Sequence, residues 1–179
     1  MQPQELLKRL QSKKPPSVID VRTIFESDWS AGPDPDLACT RLLVSPVNSG
    51  PRVIDHVDHA TATLDIEVLY ITEPGLIDAV VAAAARGVAV RVLLSDPARN
   101  PQNTATQAMF LAKGIPTKLL LANYLHAKMI QADGVALVGS ENMSNTSFTM
   151  NREVGALVFE PGPAGQIHDQ YEADWAAAR

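Results

Sequence analysis

A chain of 179 residues is long enough to bury one substantial core, which fits one α/β domain better than two. Its formal charge of -5 and pI near 5.3 weigh against a protein that lives by non-specific binding to nucleic acid. The single Cys39 excludes an internal disulfide, the opening residues lack an apolar stretch of signal-peptide length, and the most apolar run (76–94) is broken by Asp78, Arg86 and Arg91. No transmembrane segment is expected, and the chain reads as soluble, and as cytoplasmic if Met1 is the natural start.

In chain order, QELLKRLQSKKPPSVIDVRT (4–23) reads as a helix, two prolines and a strand, VIDVR. It resembles the opening of rhodanese-like domains over about twenty residues, but LACTRLL around Cys39 is not the cysteine loop that such a domain needs. Residues 41–46, RLLVSP, predict a short strand, and 49–64 a helix with Pro51 in its first turn. DIEVLYI (65–71) is strand-like, PGLIDAVVAAAARG is a helix that Gly87 closes, and VAVRVLLS (88–95) suits a strand buried on both faces. A turn-rich loop, a helix over 104–114 and a strand in IPTKLLLA follow. After Leu121 three strands, LHAKMIQA, VALVGS and REVGALVF, come with short connections, and PAGQIHDQYEADWAAAR ends as a helix. The alternation predicts an α/β domain with a mixed, largely parallel sheet and helices on both faces.

One repeat is visible: FESDWSA at 25–31 returns as YEADWAA at 171–177. It suggests that residues 1–40 are an N-terminal helical segment and linker, the tail of a preceding repeat with GPDPD (32–36) as the joint. The main domain is then expected to span 41–179. Trp29 and Trp175 read as packing anchors of their helices. His56 and His59, with Asp55 and Asp58, fall opposite an apolar stripe of Val53, Ile54, Val57 and Ala60, so a solvated helix face is expected rather than a metal site.

The candidate site starts at HAKMIQAD (126–133). On a strand His126 and Lys128 point the same way. A histidine beside a fixed cation is held partly neutral and nucleophilic, and the ammonium attracts phosphate oxygens, so the pair suits attack on a phosphoryl group. A three-residue loop, Ala132-Asp133-Gly134, would set Ser140 across from His126, whereas a two-residue loop would set it opposite Ala127. Asn142 stays on the side of Ser140, and Glu153 is placed to orient an imidazole nitrogen. Asp133 reads as structural, accepting backbone N–H groups in its own loop. Arg152, of opposite parity to Glu153, is expected to be a surface or interface cation. Glu141 is expected to add negative charge beside the site.

H-x-K-x4-D followed by G-S-x-N resembles the signature of the phospholipase D superfamily, and RLLVSPVNSG and the closing EADW helix look like the same family. Five residues separate Asp133 from Gly139, one fewer than is usual there. The resemblance implies a phospholipase D-like fold over 41–179 and a phosphodiesterase working through a phosphohistidine, without metal or other cofactor. It makes His126, Lys128 and Glu153 catalytic, with Lys128, Ser140 and Asn142 holding phosphate and Asp133 structural. Such enzymes face two motif copies across a pseudo-two-fold axis, so a second copy is required from a homodimer mate or from a longer polypeptide. The acidic composition favours hydrolysis or transfer on a phospholipid. The alternatives are a single-motif nuclease acting on DNA or RNA as a homodimer, and a non-catalytic scaffold of the same fold.

Overall fold

Apolar runs of period two alternate with helical runs for most of the chain, and the architecture follows them. The structure is a computed structural model that describes residues 21–38 and 40–179. The expected helix at the N-terminus, most of the rhodanese-like stretch and Cys39 lie outside the described residues. Of the VIDVR strand, Val21 and Arg22 are described and belong to a helix.

The elements are α1 (Val21–Trp29), β1 (Leu42–Ser45), α2 (Ser49–Asp58), β2 (Thr63–Val68), α3 (Pro74–Ala85), β3 (Ala89–Ser95), α4 (Gln102–Ala112), β4 (Thr117–Leu120), β5 (Lys128–Ala132), β6 (Val135–Gly139), α5 (Asn145–Thr149), β7 (Glu153–Val158) and α6 (Pro161–Ala177). Pro74 opens α3 in its first turn, and Gly87 at φ 91° ends that helix where an L side chain would be strained. The seven strands lie in the order β1-β7-β6-β5-β2-β3-β4. Only β2/β3 and β3/β4 pair in parallel; the other four pairings are antiparallel. The sheet is therefore mixed, and "largely parallel" holds for strand direction but not for pairing: only β5 and β7 run against the rest, yet each lies between two strands of the other sense.

Strand alternation splits the sheet into two faces. One carries Leu64, Ile66, Val92, Leu94, Ile130 and Leu137 and is covered by α2, α3 and α4 through Val53, Val57, Leu76, Val80 and Phe110. The other carries Leu93 and Met129 and is covered by α6 through Tyr171, with Ile167 and Trp175 alongside. Helices thus lie on both faces. A smaller cluster of Ile24, Leu37 and Val44 seats α1 beside β1.

Two expectations need correction. The α2 helix ends at Asp58 rather than near residue 64, because Thr61, Ala62 and Thr63 give their backbone N–H groups to the Asp133 carboxylate and enter β2 instead. His56 does not face solvent: it is 4% exposed under α2, against the backbone of Ile130 and Val135. Burial holds its pKa down at about 4, so the ring is neutral at physiological pH. His59 does sit at the partly exposed end of that helix, with Nδ1 2.7 Å from Asp55 O.

Candidate active site

The hairpin that carries the motif turns in two residues, not three. Ala132 pairs with Val135, and Asp133 and Gly134 between them stand at φ 49° and 82°, the double left-handed geometry that Asp-Gly favours. The ladder runs on to Met129↔Val138, which carries Ser140 toward Ala127 rather than His126. The Asp133 side chain reaches outside this turn. Its Oδ2 accepts from Thr61 N and Oγ1 at 2.8 and 2.7 Å, and its Oδ1 from Ala62 N and Thr63 N, each at 2.9 Å. The carboxylate braces the entrance of β2, not its own loop.

Lys128 is the first residue of β5, so His126 belongs to the preceding loop and is exposed. The Lys128 side chain is buried and its Nζ donates to the His126 carbonyl oxygen at 2.8 Å, which ties the two residues together without strand parity. Burial lowers the Lys128 pKa, and the nearby Glu153 carboxylate works in the opposite sense.

Ser140 reaches the site through β7. Gly139 pairs with Gly155, Ser140 N donates to Val154 O at 3.0 Å, and Val154 N donates to Ser140 Oγ at 3.1 Å. Ser140 Oγ donates in turn to Glu153 Oε2 at 2.5 Å. The other Glu153 oxygen accepts from Asn151 Nδ2 at 3.0 Å and Ser147 Oγ at 3.5 Å. The carboxylate expected to orient the imidazole is thus hydrogen-bonded to Ser140, Ser147 and Asn151 instead. Asn142 is half-buried, and its Oδ1 has no hydrogen-bond partner among the described residues.

Glu141 does not add surface charge at the site. It is fully buried, accepts from Ser49 Oγ at 3.0 Å, and lies where a Cβ on Gly139 would fall 2.1 Å from its Oε2. Burial raises its pKa.

Sequence reasoning missed several neighbours. Ser147 is in α5, a one-turn helix capped by Ser144, whose S-x-x-S spacing after GSEN is the only signal for it. Tyr124 stands beside His126 with ring centroids 5.6 Å apart, and the Arg99 guanidinium lies 4.8 Å from the Tyr124 centroid. Neither carries a motif. Arg152, expected at a surface or interface, pairs with Asp28 and Asp34.

Among the described residues one group has metal-ligand types: Asp65, His168 and Glu172 bring ligand atoms within 4.8 Å of one another. It lies on the sheet face opposite Lys128, and Arg91 already bonds to Asp65 at 2.8 and 2.9 Å and to Glu172 at 2.6 Å. A guanidinium in that position repels a metal cation. Among the described residues no helix is long and apolar enough to cross a membrane.

A family model described as the PLD-like domain of cardiolipin synthase matches residues 53–175. Cardiolipin synthase A of Pseudomonas aeruginosa is 34% identical over 123 residues, covering 62% of this chain and 25% of that protein. A cardiolipin synthase A of Pseudomonas putida is 28% identical over 162 residues, covering 84% of this chain and 31% of that protein. The chain thus spans about a quarter to a third of the curated relatives it matches. Among solved structures, Nuc from Salmonella typhimurium, a phospholipase D family member, aligns with a TM-score of 0.73 at 23% identity, over 78% of this chain and 95% of that one. The phosphatidylserine synthase of Haemophilus influenzae aligns at 0.61 and 14% identity, over 77% of this chain and 39% of that one. At these identities the structural likeness speaks for the fold, and the family model, which spans more than half of the chain, speaks for descent: the chain belongs to the phospholipase D superfamily.

Proposed function

We propose that the chain supplies one half of a phospholipase D-type site that cleaves or transfers a phosphodiester, with a phospholipid as the substrate. The observation that carries this is the state of Lys128. A buried ammonium has three donors, and among the described residues it meets one acceptor, the His126 carbonyl. A cation held in that way, next to an exposed imidazole, favours an anion at the same spot. Ser140 and Asn142 follow the end of the adjoining strand, and of the Asn142 amide it is the Nδ2 group that can donate to an anion.

In the proposed reaction a histidine nitrogen forms a bond to phosphorus as the P–O bond to the leaving alcohol breaks, and the alkoxide takes a proton from a second histidine. Water or another alcohol then attacks phosphorus, the P–N bond breaks to release the first histidine, and the second histidine takes the proton of the attacking hydroxyl. Lys128 and the Asn142 amide stabilise the charge on the phosphate oxygens. Glu153, hydrogen-bonded to Ser140, holds that hydroxyl in place and offsets the cost of burying Lys128. The second histidine comes from another copy of the domain. Phospholipid is favoured because the relatives named cardiolipin synthases match in sequence and the net charge is -5. The test is His126→Ala in the intact polypeptide, which should lower turnover of bis-p-nitrophenyl phosphate by at least ~10²-fold, the scale of one acid–base or nucleophilic group. Chelation should leave the wild type unchanged. Surviving activity in the variant sinks the chemistry. Faster turnover of single-stranded DNA than of dispersed phosphatidylglycerol at matched low salt reverses the substrate assignment to a nuclease.

A further inference from the structure

Three large aromatic rings are exposed among the described residues, Phe25, Trp29 and Tyr124. Trp29, 83% exposed on α1, is not the packing anchor that the sequence suggested, and nothing among the described residues shows what covers it or Phe25. Tyr124 is different, because it stands at the site between two named groups. Its ring lies beside the His126 imidazole, with centroids 5.6 Å apart, and the Arg99 guanidinium lies 4.8 Å from its centroid. Arg99 is itself exposed, and among the described residues no carboxylate pairs with it. An aromatic neighbour supports the flat face of a guanidinium and leaves its N–H edge open to an anion.

The place of that cation is built into the fold. Arg99 belongs to the loop that leaves β3, where Asp96 Oδ1 accepts from Ala98 N at 2.8 Å and Asp96 O accepts from Arg99 N and Asn100 N, both at 3.0 Å. Asn100 Nδ2 donates to Ser95 Oγ at 2.8 Å. Beneath them Asn103 is fully buried, and its Nδ2 donates to Ser95 O and Leu69 O, each at 2.9 Å. Ser95 Oγ donates to the same Leu69 oxygen at 2.8 Å. Leu69 N donates in turn to the carbonyl of Ala127, the neighbour of His126, at 3.1 Å. Leu69 thus ties the loop of Arg99 to the loop of His126. A cation anchored in this way loses less freedom on meeting an anion than one on an untethered loop.

We infer that Arg99, backed by Tyr124, binds a second anionic group of the substrate, a phosphate or carboxylate on the same headgroup as the phosphodiester that Lys128 holds. This presupposes the phosphodiester chemistry proposed above and narrows its substrate to a phospholipid whose headgroup carries a negative charge of its own. The ring sets the spacing, since the two anions lie on either side of Tyr124, within reach of a glycerol-sized linker. A nucleic-acid strand fits less well, because it needs a row of cations along its backbone. The loops that follow β1, β2, β3, β4 and β6 lie at one end of the sheet with the starts of β5 and β7. Among the described residues these loops carry two arginines and no lysine, and one of the two, Arg152, is taken by Asp28 and Asp34. One remaining cation beside Lys128 matches one additional anion.

Titration calorimetry of the intact polypeptide at low salt tests this without turnover. Propylphosphonate offers one anionic group, and 1,3-propanediphosphonate offers two at the spacing of a glycerol. The wild type should bind the diphosphonate about tenfold more tightly, the scale of one charge-assisted contact at a partly exposed site. Arg99→Gln should remove that preference, Arg99→Lys should keep part of it, and added salt should shrink it. In turnover, Arg99→Gln should lower kcat/KM on the 3-phosphate of phosphatidylglycerol about tenfold more than on phosphatidylglycerol itself. Equal affinity for the two phosphonates in the wild type, or a preference that survives Arg99→Gln, overturns the inference; His126-dependent turnover of bis-p-nitrophenyl phosphate beside that result leaves the proposed chemistry standing. If neither phosphonate binds, Lys128 holds no phosphate and both fall. A larger loss on single-stranded DNA than on either lipid assigns the cation to a nucleic-acid strand and rejects the proposal.

Discussion

Substitution of Asp133 separates holding the fold from taking part in chemistry. Its carboxylate bonds span about 70 residues of sequence and brace the entry of β2, next to which β5 and its Lys128 pair. At this exposure each charge-assisted bond contributes about 0.5–1 kcal/mol, so losing all four in Asp133→Ala should cost ~2–4 kcal/mol. Alanine must also hold the φ of 49°, for about 1 kcal/mol more. Asp133→Asn keeps one acceptor oxygen and tolerates the left-handed backbone, so about half the loss is expected.

Urea titration followed by circular dichroism measures these costs. Burial would raise the Asp133 pKa, but the bonds from Thr63, Thr61 and Ala62 outweigh it and the net shift is downward. The native state then binds fewer protons than the unfolded one, so this contribution is complete above the unfolded value of about 3.9 and fades as pH falls through the lower native value. The Asn variant should lack that acid limb. A variant as stable as wild type within ~0.5 kcal/mol, yet inactive, would refute the structural role.

Glu67, buried beside Asp174, has its pKa raised to about 7 by burial and then by the Asp174 charge and hydrogen bond. Its native state therefore holds a proton that the unfolded chain releases, and wild-type stability should fall by roughly 2 kcal/mol from pH 5 to pH 8; Glu67→Gln should flatten that slope, and an unchanged slope rejects the assignment. Gly139→Ala should destabilise by about 2–3 kcal/mol, since the new Cβ meets Glu141 Oε2 at 2.1 Å and Gly155 Cα at 2.8 Å; pairing it with Glu141→Ala should recover part of the loss, and no recovery would deny the contact. Lys128→Met should lower kcat/KM by ~10²-fold or more while leaving the urea midpoint unchanged or higher, because it removes a buried, incompletely bonded charge; an unfolded variant would show the ammonium to be structural.

Much of the fold could be read where the signal was local. β3 is a run of alanine, valine and leucine interrupted only by Arg91 and ended by Ser95, and α3 has Pro74 at one end and Gly87 at the other. The errors arose where a distant group decided the outcome. Thr61–Thr63 continue a helical pattern until a carboxylate from residue 133 captures their N–H groups. His56 sits on the polar side of a stripe drawn from α2 alone, but that helix is gripped by both the sheet and α3, so the buried arc is wider than the stripe.

The candidate site's residues can be named from the sequence, but their arrangement cannot, and the GSEN stretch shows why. Gly139 and Gly155 are opposite one another in adjoining strands, a pairing that neither glycine's neighbours announce. Two residues without side chains leave a gap on the sheet, and Glu141 fills it, lying close to both glycines. With Glu141 turned inward to Ser49, Ser140 is turned the other way, to Glu153. The loop from β6 into α5 then brings Ser147 to the same carboxylate. Ser140 therefore takes its place from β7 and from the acid behind it, while His126 takes its place from the Lys128 ammonium on its carbonyl. Reading His126 and Ser140 as direct cross-strand partners required a third loop residue; the two-residue turn removes that requirement, because each residue reaches the site through a different neighbour.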